Sequence, residues 1–304
     1  LIAEVLEQVS PSLSSFMLRT SICDRLCADL CTALLDTPDA PDEAETHVVA
    51  LQRTNLFVVE LDDERRWWRY HHLFQELLQH QLHLRCSGAE IRDLHRRACQ
   101  WFADEGLLNE AIDHALAAGD VAYAVSLVEQ NRIAMFNLDQ WYIVERWLAH
   151  LPESVKRRRP ELILAQAWVA YTRHALATIP VLLEPLDALW DVDTDSKALQ
   201  AEVQFFQALG LFWMGDGEAS ASLLQSALHR LPAAAEQFKG EVQMYYALSL
   251  HILGRSEAAI RYLYGELYGV EAPPVARKIR LLGTVNFSRL LSGELDEALS
   301  TSQQ

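Results

Sequence analysis

Residues 54–82, TNLFVVELDDERRWWRYHHLFQELLQHQL, hold the segment on which the fold turns. Two runs rich in Val, Phe, Trp and Tyr flank a polar stretch, Asp62–Arg66, the pattern of two strands joined by a turn. The period then changes at His71 and His72, which open an amphipathic helical run. Upstream, apolar residues in SSFMLRTSI and DRLCADLCTALL recur at three and four positions, predicting two short helices, with Asp24 as N-cap of the second. Glu43–Arg53 supplies a third. Three helices followed by a hairpin is the order of a winged helix, so residues 1–86 are expected to form a winged-helix domain.

From Ser87 onward the sequence gives helical patterns with short polar breaks and no comparable strand signal. Residues 87–160 read as a helical connector, with Gly106 and Gly119 where glycines end helices. Residues 161–304 carry an internal period. LFWMGDGEASASLLQSAL (211–228), LHILGRSEAAIRYLYGEL (250–267) and LLSGELDEALSTS (290–302) align on Gly215, Gly254 and Gly293, each 39 residues from the next. LAQAWVAYTRHALATIPVLL (164–183) fits as a degenerate copy with His174 at the glycine position. A period near 39 suits helical pairs of the tetratricopeptide (TPR) type, whose stacking builds a continuous core. The expected fold is mainly α, a winged helix followed by a TPR-like helical superhelix.

Composition narrows the function. Against 26 Lys+Arg stand 42 Asp+Glu, a formal charge of −16, which repels a phosphate backbone unless basic residues concentrate in one place. The basic runs are short, RRWWR at 65–69 and KRRR at 156–159, the latter read as a solvated connector before Pro160. The approach to the third helix carries Asp39, Asp42, Glu43 and Glu45 against Arg53, the wrong sign for a recognition helix. The winged helix is therefore expected to pack against protein, with Trp67 and Trp68 buried by neighbours rather than stacked on bases, and no direct nucleic-acid binding is expected. No apolar run reaches the roughly 18 residues that cross a bilayer. Five cysteines without a CxxC pair point to a reducing, cytoplasmic compartment. The chain opens at Leu1 and stops at Gln304 inside helical patterns, and reads as an excised stretch of a longer protein.

Cys23, Cys27 and Cys31 recur at four-residue spacing, read as small buried side chains on one helix face. Three ligands projecting the same way cannot surround a tetrahedral zinc. His80, His83 and Cys86 drift around their helix and offer a metal two ligands at most, so no metal site is expected. Nucleophile elbows, HExxH and phosphate-binding glycine loops are missing, and the region is not expected to be an enzyme. Trp168, Tyr171, Trp213, Tyr245 and Tyr246 fall on the first helices of successive pairs, where a repeat protein builds a ligand face, although aromatics at this spacing more often form the core between repeats.

FMLRTSICDRLCADLCTALL (16–35), TNLFVVELDDERRWWRYHHLFQELLQHQL (54–82) and LHRRACQWFADEGLLNEAIDHALAAGD (94–120), in this order, resemble the middle of the MalT-like, ATP-dependent LuxR-family transcriptional regulators, which are signal-transduction NTPases of the STAND type. The resemblance implies a preceding NTPase core and a following helix-turn-helix domain as the chain's partners, with ATP or ADP and magnesium bound by the former and no cofactor by this region. It implies a regulatory role, in which the superhelix senses a small-molecule inducer and couples it to the NTPase and DNA-binding domains, with self-association as a further partner state. YHHL at 70–73 is similar to an apolar-His-Asp-Leu motif that contacts the β-phosphate of ADP, placing His71 at the histidine and His72 at the aspartate position. The other reading of the repeats is a scaffold for a protein or peptide. Inducer, promoter and inducer-binding residues are not specified by the sequence.

Overall fold

The computed structural model describes residues 9–35, 40–54, 58–64, 66–189, 196–269 and 272–302. The expected helical pattern at the chain's start, residues 1–8, lies outside them. The chain divides into two compact units, Leu1–Leu127 and Val128–Gln304, and the division falls inside the helix Val121–Asn137.

In the first unit, α1 (Pro11–Thr20) starts where Ser10 accepts from the Leu13 N–H at 3.2 Å and proline occupies the first turn. Helices α2 (Ala28–Leu35) and α3 (Ala40–Thr54) follow, then β1 (Val58–Glu60) and β2 (Trp68–Tyr70). The strands pair antiparallel with Val58 opposite Tyr70 and Glu60 opposite Trp68. On β2, Trp68 and Tyr70 are buried and Arg69 between them is exposed, the two-residue alternation of a half-covered strand. On the other edge of β2, Leu26 exchanges both backbone hydrogen bonds with Trp68, at 2.7 and 3.0 Å. Three helices, a hairpin and this added bridge make the winged helix. Phe16, Leu30, Leu34, Trp68, Tyr70 and Phe74 fill its core, and the Tyr70 hydroxyl meets Thr20 Oγ1 at 2.8 Å.

The same bridge corrects the expected start of α2. Leu26 is extended to pair with Trp68, so the helix cannot begin before Ala28, and Asp24 is not its N-cap. Asp24 instead lies in a loop held by side chains of α4 (His72–Arg85). Gln75 Nε2 donates to the carbonyls of Ser21 and Cys23, both at 3.0 Å, and Gln79 Nε2 to Ser21 at 2.8 Å. Cys23 and Cys27 consequently precede the helix that carries Cys31. All three are buried, and burial raises each thiol pKa. Trp67 is half-buried against the edge of Trp101, with the Arg25 guanidinium 4.5 Å from its ring centre. Trp101 belongs to α5 (Gly88–Asp104), opened by a Ser87–Glu90 capping box, and α6 (Leu108–Ala117) packs on α5.

The division point lies in α7 (Val121–Asn137). Beyond it come α8 (Trp141–His150), α9 (Glu153–Lys156), α10 (Pro160–Thr172), α11 (Ile179–Leu183) and α12 (Leu186–Leu189). The regular pairs are α13 (Lys197–Trp213) with α14 (Gly217–Leu228), α15 (Glu236–Ile252) with α16 (Ser256–Tyr268), and α17 (Val275–Ser292) with α18 (Leu295–Ser302). Gly215, Gly254 and Gly293 turn each pair with φ of 84°, 72° and 80°, and His174 takes the equivalent left-handed position at φ 57°. The earliest copy is irregular beyond that turn. Proline 185 separates α11 from α12, because it lacks the N–H and crowds the preceding carbonyls that a continuous helix needs. Small residues mark the close crossing of α14 with its neighbours. Ser220 Oγ donates to the Ala208 carbonyl and receives from Ser249 Oγ, each at 3.0 Å.

The KRRR run is not wholly solvated. Arg157, Arg158 and Arg159 are exposed, but Lys156 is 6% exposed and pairs with Glu153 at 2.6 Å. A helical turn at Glu153–Lys156 rolls the lysine stem inward while its ammonium reaches the exposed carboxylate.

Candidate functional site

The residues singled out in the sequence fall in both units. In the first, β2 ends at Tyr70 and the chain enters α4 through His71, the N-cap, whose side chain makes no capping hydrogen bond. His71 and His72 are both exposed, with ring centres 4.7 Å apart. The buried side of α4 carries Phe74, Leu78 and Leu82, and its outward side carries Leu73, Leu77 and Leu84. The two histidines thus stand at the head of a helix that leaves a row of leucines uncovered in this unit. His80 and His83 lie further along it, exposed, and His83 Nδ1 meets the Gln79 carbonyl at 2.8 Å. Among the described residues no group of three or more His, Cys, Asp or Glu side chains is placed to hold a metal ion.

In the second unit the aromatic residues singled out in the sequence separate into different roles. Trp168 is core. Its ring lies flat between Phe205 at 4.7 Å and Phe238 at 4.1 Å, with interplanar angles of 9° and 2°. Its Nε1–H donates to Glu202 Oε2 at 2.8 Å, and Arg132 donates to both oxygens of Glu202 at 2.8 and 2.6 Å. Tyr171 donates to Glu241 Oε2 at 2.6 Å, and Arg280 pairs with the other Glu241 oxygen. Tyr245 packs edge-on against Tyr171 and Phe205. Burial pushes the phenols of Tyr171 and Tyr245 up, so they serve as neutral donors and packing groups. Trp213 is 64% exposed.

Tyr246 lines a cavity. It is an open cavity of about 380 Å³ between α14, α15, α16 and α17, and its walls include His229, Lys239, Gln243, Tyr262, Glu266 and Arg277. The Tyr246 and Tyr262 rings meet edge to face at 4.9 Å. Gln243 donates from Nε2 to Glu266 Oε2 at 2.5 Å, while its own Oε1 is buried without a partner. Arg277 pairs with Glu236 at 3.0 Å and Lys239 with the same carboxylate at 3.7 Å, and Arg277 Nε is likewise buried without a partner. Burial, reinforced by Glu266, raises the Tyr262 phenol. Sequence reading missed Lys239, Gln243, Glu266 and Arg277, which come from three helices and share no motif. The alignment of Gly215 with Gly254 was the available signal, since it sets these helices in register. Two further cavities, of about 480 and 310 Å³, are lined by Lys156, Val169 and Arg173 and by Leu186, Gln204 and Arg230.

Comparison with known proteins adds a second line of observation. Residues 2–90 match the family described as the MalT winged helix domain. The HTH-type transcriptional regulator MalT of Klebsiella pneumoniae subsp. pneumoniae is 30% identical over 237 residues, 77% of this chain and 25% of that protein. MalT of Yersinia enterocolitica is 31% identical over 240 residues, 77% of this chain and 26% of that protein. The serine/threonine-protein kinase PknK of Mycobacterium tuberculosis is 37% identical over 179 residues, 57% of this chain and 15% of the kinase. The chain thus spans about a quarter of the length of the MalT proteins it matches. No solved structure matches. No helix among the described residues is long and apolar enough to cross a membrane.

Proposed function

From the premise that this chain is MalT-like, with a MalT winged helix domain at residues 2–90, we propose that it is the regulatory, inducer-sensing region of a LuxR-family transcription activator. The observation that carries the proposal is the reach of the similarity, which runs over 77% of the chain in regulators named for transcription and over 57% of it in a protein named as a kinase. A stretch shared by proteins with different named outputs is suited to regulation rather than to either output. In this reading the repeats bind a small inducer. The winged helix passes the change to an NTPase module, which binds ATP or ADP with magnesium, and a separate domain binds the promoter. Such coupling requires that the inducer prefer one conformation of the whole protein. Catalysis belongs to the NTPase module, and the cytoplasm is the setting.

The winged-helix side of the proposal rests on α4. Exposed Leu73, Leu77 and Leu84 form an apolar strip for the NTPase module, and His71 and His72 stand at its head. An imidazole N–H donated to a phosphate oxygen contributes about 1.5–3 kcal/mol when charge-assisted. In the protein carrying both the NTPase module and this region, His71→Ala is expected to weaken ADP binding about tenfold, and His72→Ala to weaken it less. Unchanged ADP affinity in both variants would remove the histidines from the nucleotide site.

A scaffold role has its own supporting observation, the exposed apolar residues Val275, Ile279, Phe287, Leu291, Leu295 and Leu299 on α17 and α18, which also suit self-association. Thermal unfolding of the chain against sugars, organic acids, amino acids and short peptides separates the readings. An inducer at a hundredfold excess over its Kd is expected to add about 2.7 kcal/mol of stability. Stabilisation by peptides alone would favour the scaffold, and no stabilisation by any metabolite would defeat inducer sensing by these repeats.

A further inference from the structure

Three charged side chains, Lys239, Glu266 and Arg277, line the cavity between α14, α15, α16 and α17, together with His229. Lys239 and Arg277 are cationic, Glu266 lines the same space, and Glu236 pairs with both cations. Its volume of about 380 Å³ lies at the small end of ligand pockets, which run from about 300 to 1,000 Å³. Two polar atoms of the lining residues are buried without partners. Gln243 is 3% exposed, its Nε2 is committed to Glu266, and its Oε1 is left as an unfilled acceptor beside that carboxylate. Arg277 Nε is an unfilled donor on the basic side, where Lys239 also stands. Buried polar atoms without partners are uncommon in folded proteins because each carries a desolvation cost, and two of them on residues that line one cavity mark a place where a ligand supplies what is missing.

We propose that this cavity binds a free α-amino acid or a comparably small zwitterion, with the ammonium facing Gln243 and Glu266 and the carboxylate facing Arg277 and Lys239. The proposal deepens the inducer-sensing reading and rests on it. An ammonium offers several N–H donors to the adjoining acceptors of Gln243 and Glu266, and a carboxylate offers two acceptors to the basic side. A simple anion or cation would engage only one sign of the charges that line the cavity. A neutral ligand would desolvate Glu266, Lys239 and Arg277 without returning any charge interaction. Tyr246 and Tyr262 provide an aromatic surface for the remaining side chain.

The test is titration of the 304-residue chain with each of the twenty protein α-amino acids. The N-acetyl and carboxamide derivatives of any binder follow, with affinity read by calorimetry and thermal unfolding. At least one amino acid is expected to bind, and blocking either charged end is expected to weaken it tenfold or more. Gln243→Leu and Tyr262→Ala, checked for a native helical spectrum, are expected to weaken binding, while Trp213→Ala on the exposed surface leaves it unchanged. Failure of all twenty to bind, equal binding of the blocked derivatives, or full binding by Gln243→Leu would each overturn the proposal. A sugar or organic acid that stabilises the chain when no amino acid does would overturn the zwitterion and leave inducer sensing standing.

Discussion

Glu202→Ala is expected to destabilise the second unit by about 3–5 kcal/mol, the usual cost of removing one partner from a buried ion pair. Arg132 and Glu202 are 3% and 1% exposed, so the variant leaves a guanidinium with no water to replace the carboxylate. It also strips the acceptor from Trp168 Nε1, in the middle of a ring stack with Phe205 and Phe238. The charge network and the aromatic stack share one residue and are expected to fail together. Arg132→Leu combined with Glu202→Gln removes both charges and keeps an acceptor for Trp168, and is expected to recover most of the loss. Urea unfolding of the single and double variants measures both effects. A single variant within about 1 kcal/mol of the parent would mean that the pair behaves as a solvated surface contact.

Mild acid should weaken the first unit through His114. Its Nδ1 lies 2.8 Å from Nδ1 of His95, and its ring stacks on Phe102 at 5.3 Å with an 8° interplanar angle. One of the two facing nitrogens has to accept, so the contact requires a neutral ring. Burial, aided by the nearby His95, lowers the His114 pKa from 6.5 to about 3. Burial and then His83 lower His95 as well. The unfolded chain therefore takes up a proton near pH 6.5 that the folded chain refuses until about pH 3. Stability is complete above the unfolded value, falls as pH drops below it, and levels off near the folded value. His114 contributes about 2 kcal/mol of loss between pH 7 and pH 5, a window above the ordinary carboxylate range. His114→Leu is expected to flatten that slope whatever its effect at neutral pH. Denaturant unfolding at the two pH values decides it, and a parental slope as flat as the variant's would place His114 in water.

The elements legible in the sequence are those whose signal is local. Runs rich in Val, Phe, Trp and Tyr on either side of the polar turn at 62–66 announced a hairpin, because β-branched and aromatic side chains favour strands. Glycines at 215, 254 and 293 marked left-handed helix ends, and alignment placed His174 at the same turn, where it adopts that backbone despite its side chain. YHHL also spans consecutive residues, and the structure places its two histidines, exposed, at the entry to α4.

Local patterns also misled in specific places. Asp24 has the composition of an N-cap, but pairing of Leu26 with Trp68 delays α2 to Ala28. Lys156 sits in a basic run that reads as solvated, yet its turn of helix carries it inward. Trp168 and Tyr246 look alike as aromatic positions in successive repeats, and one is sandwiched in the core while the other lines a cavity.

By itself the sequence determined the order of elements, the period of the repeats, the turns between them and the kinship with MalT-type regulators, since periodicity, φ preference and motif order are properties of short stretches. Only the tertiary structure decided that Arg132 meets Glu202, that His95 meets His114, and that Gln243, Glu266 and Arg277 surround one space. Those partners lie on different helices, and how helices cross is settled by the packing of many side chains at once, which no single stretch of the chain encodes.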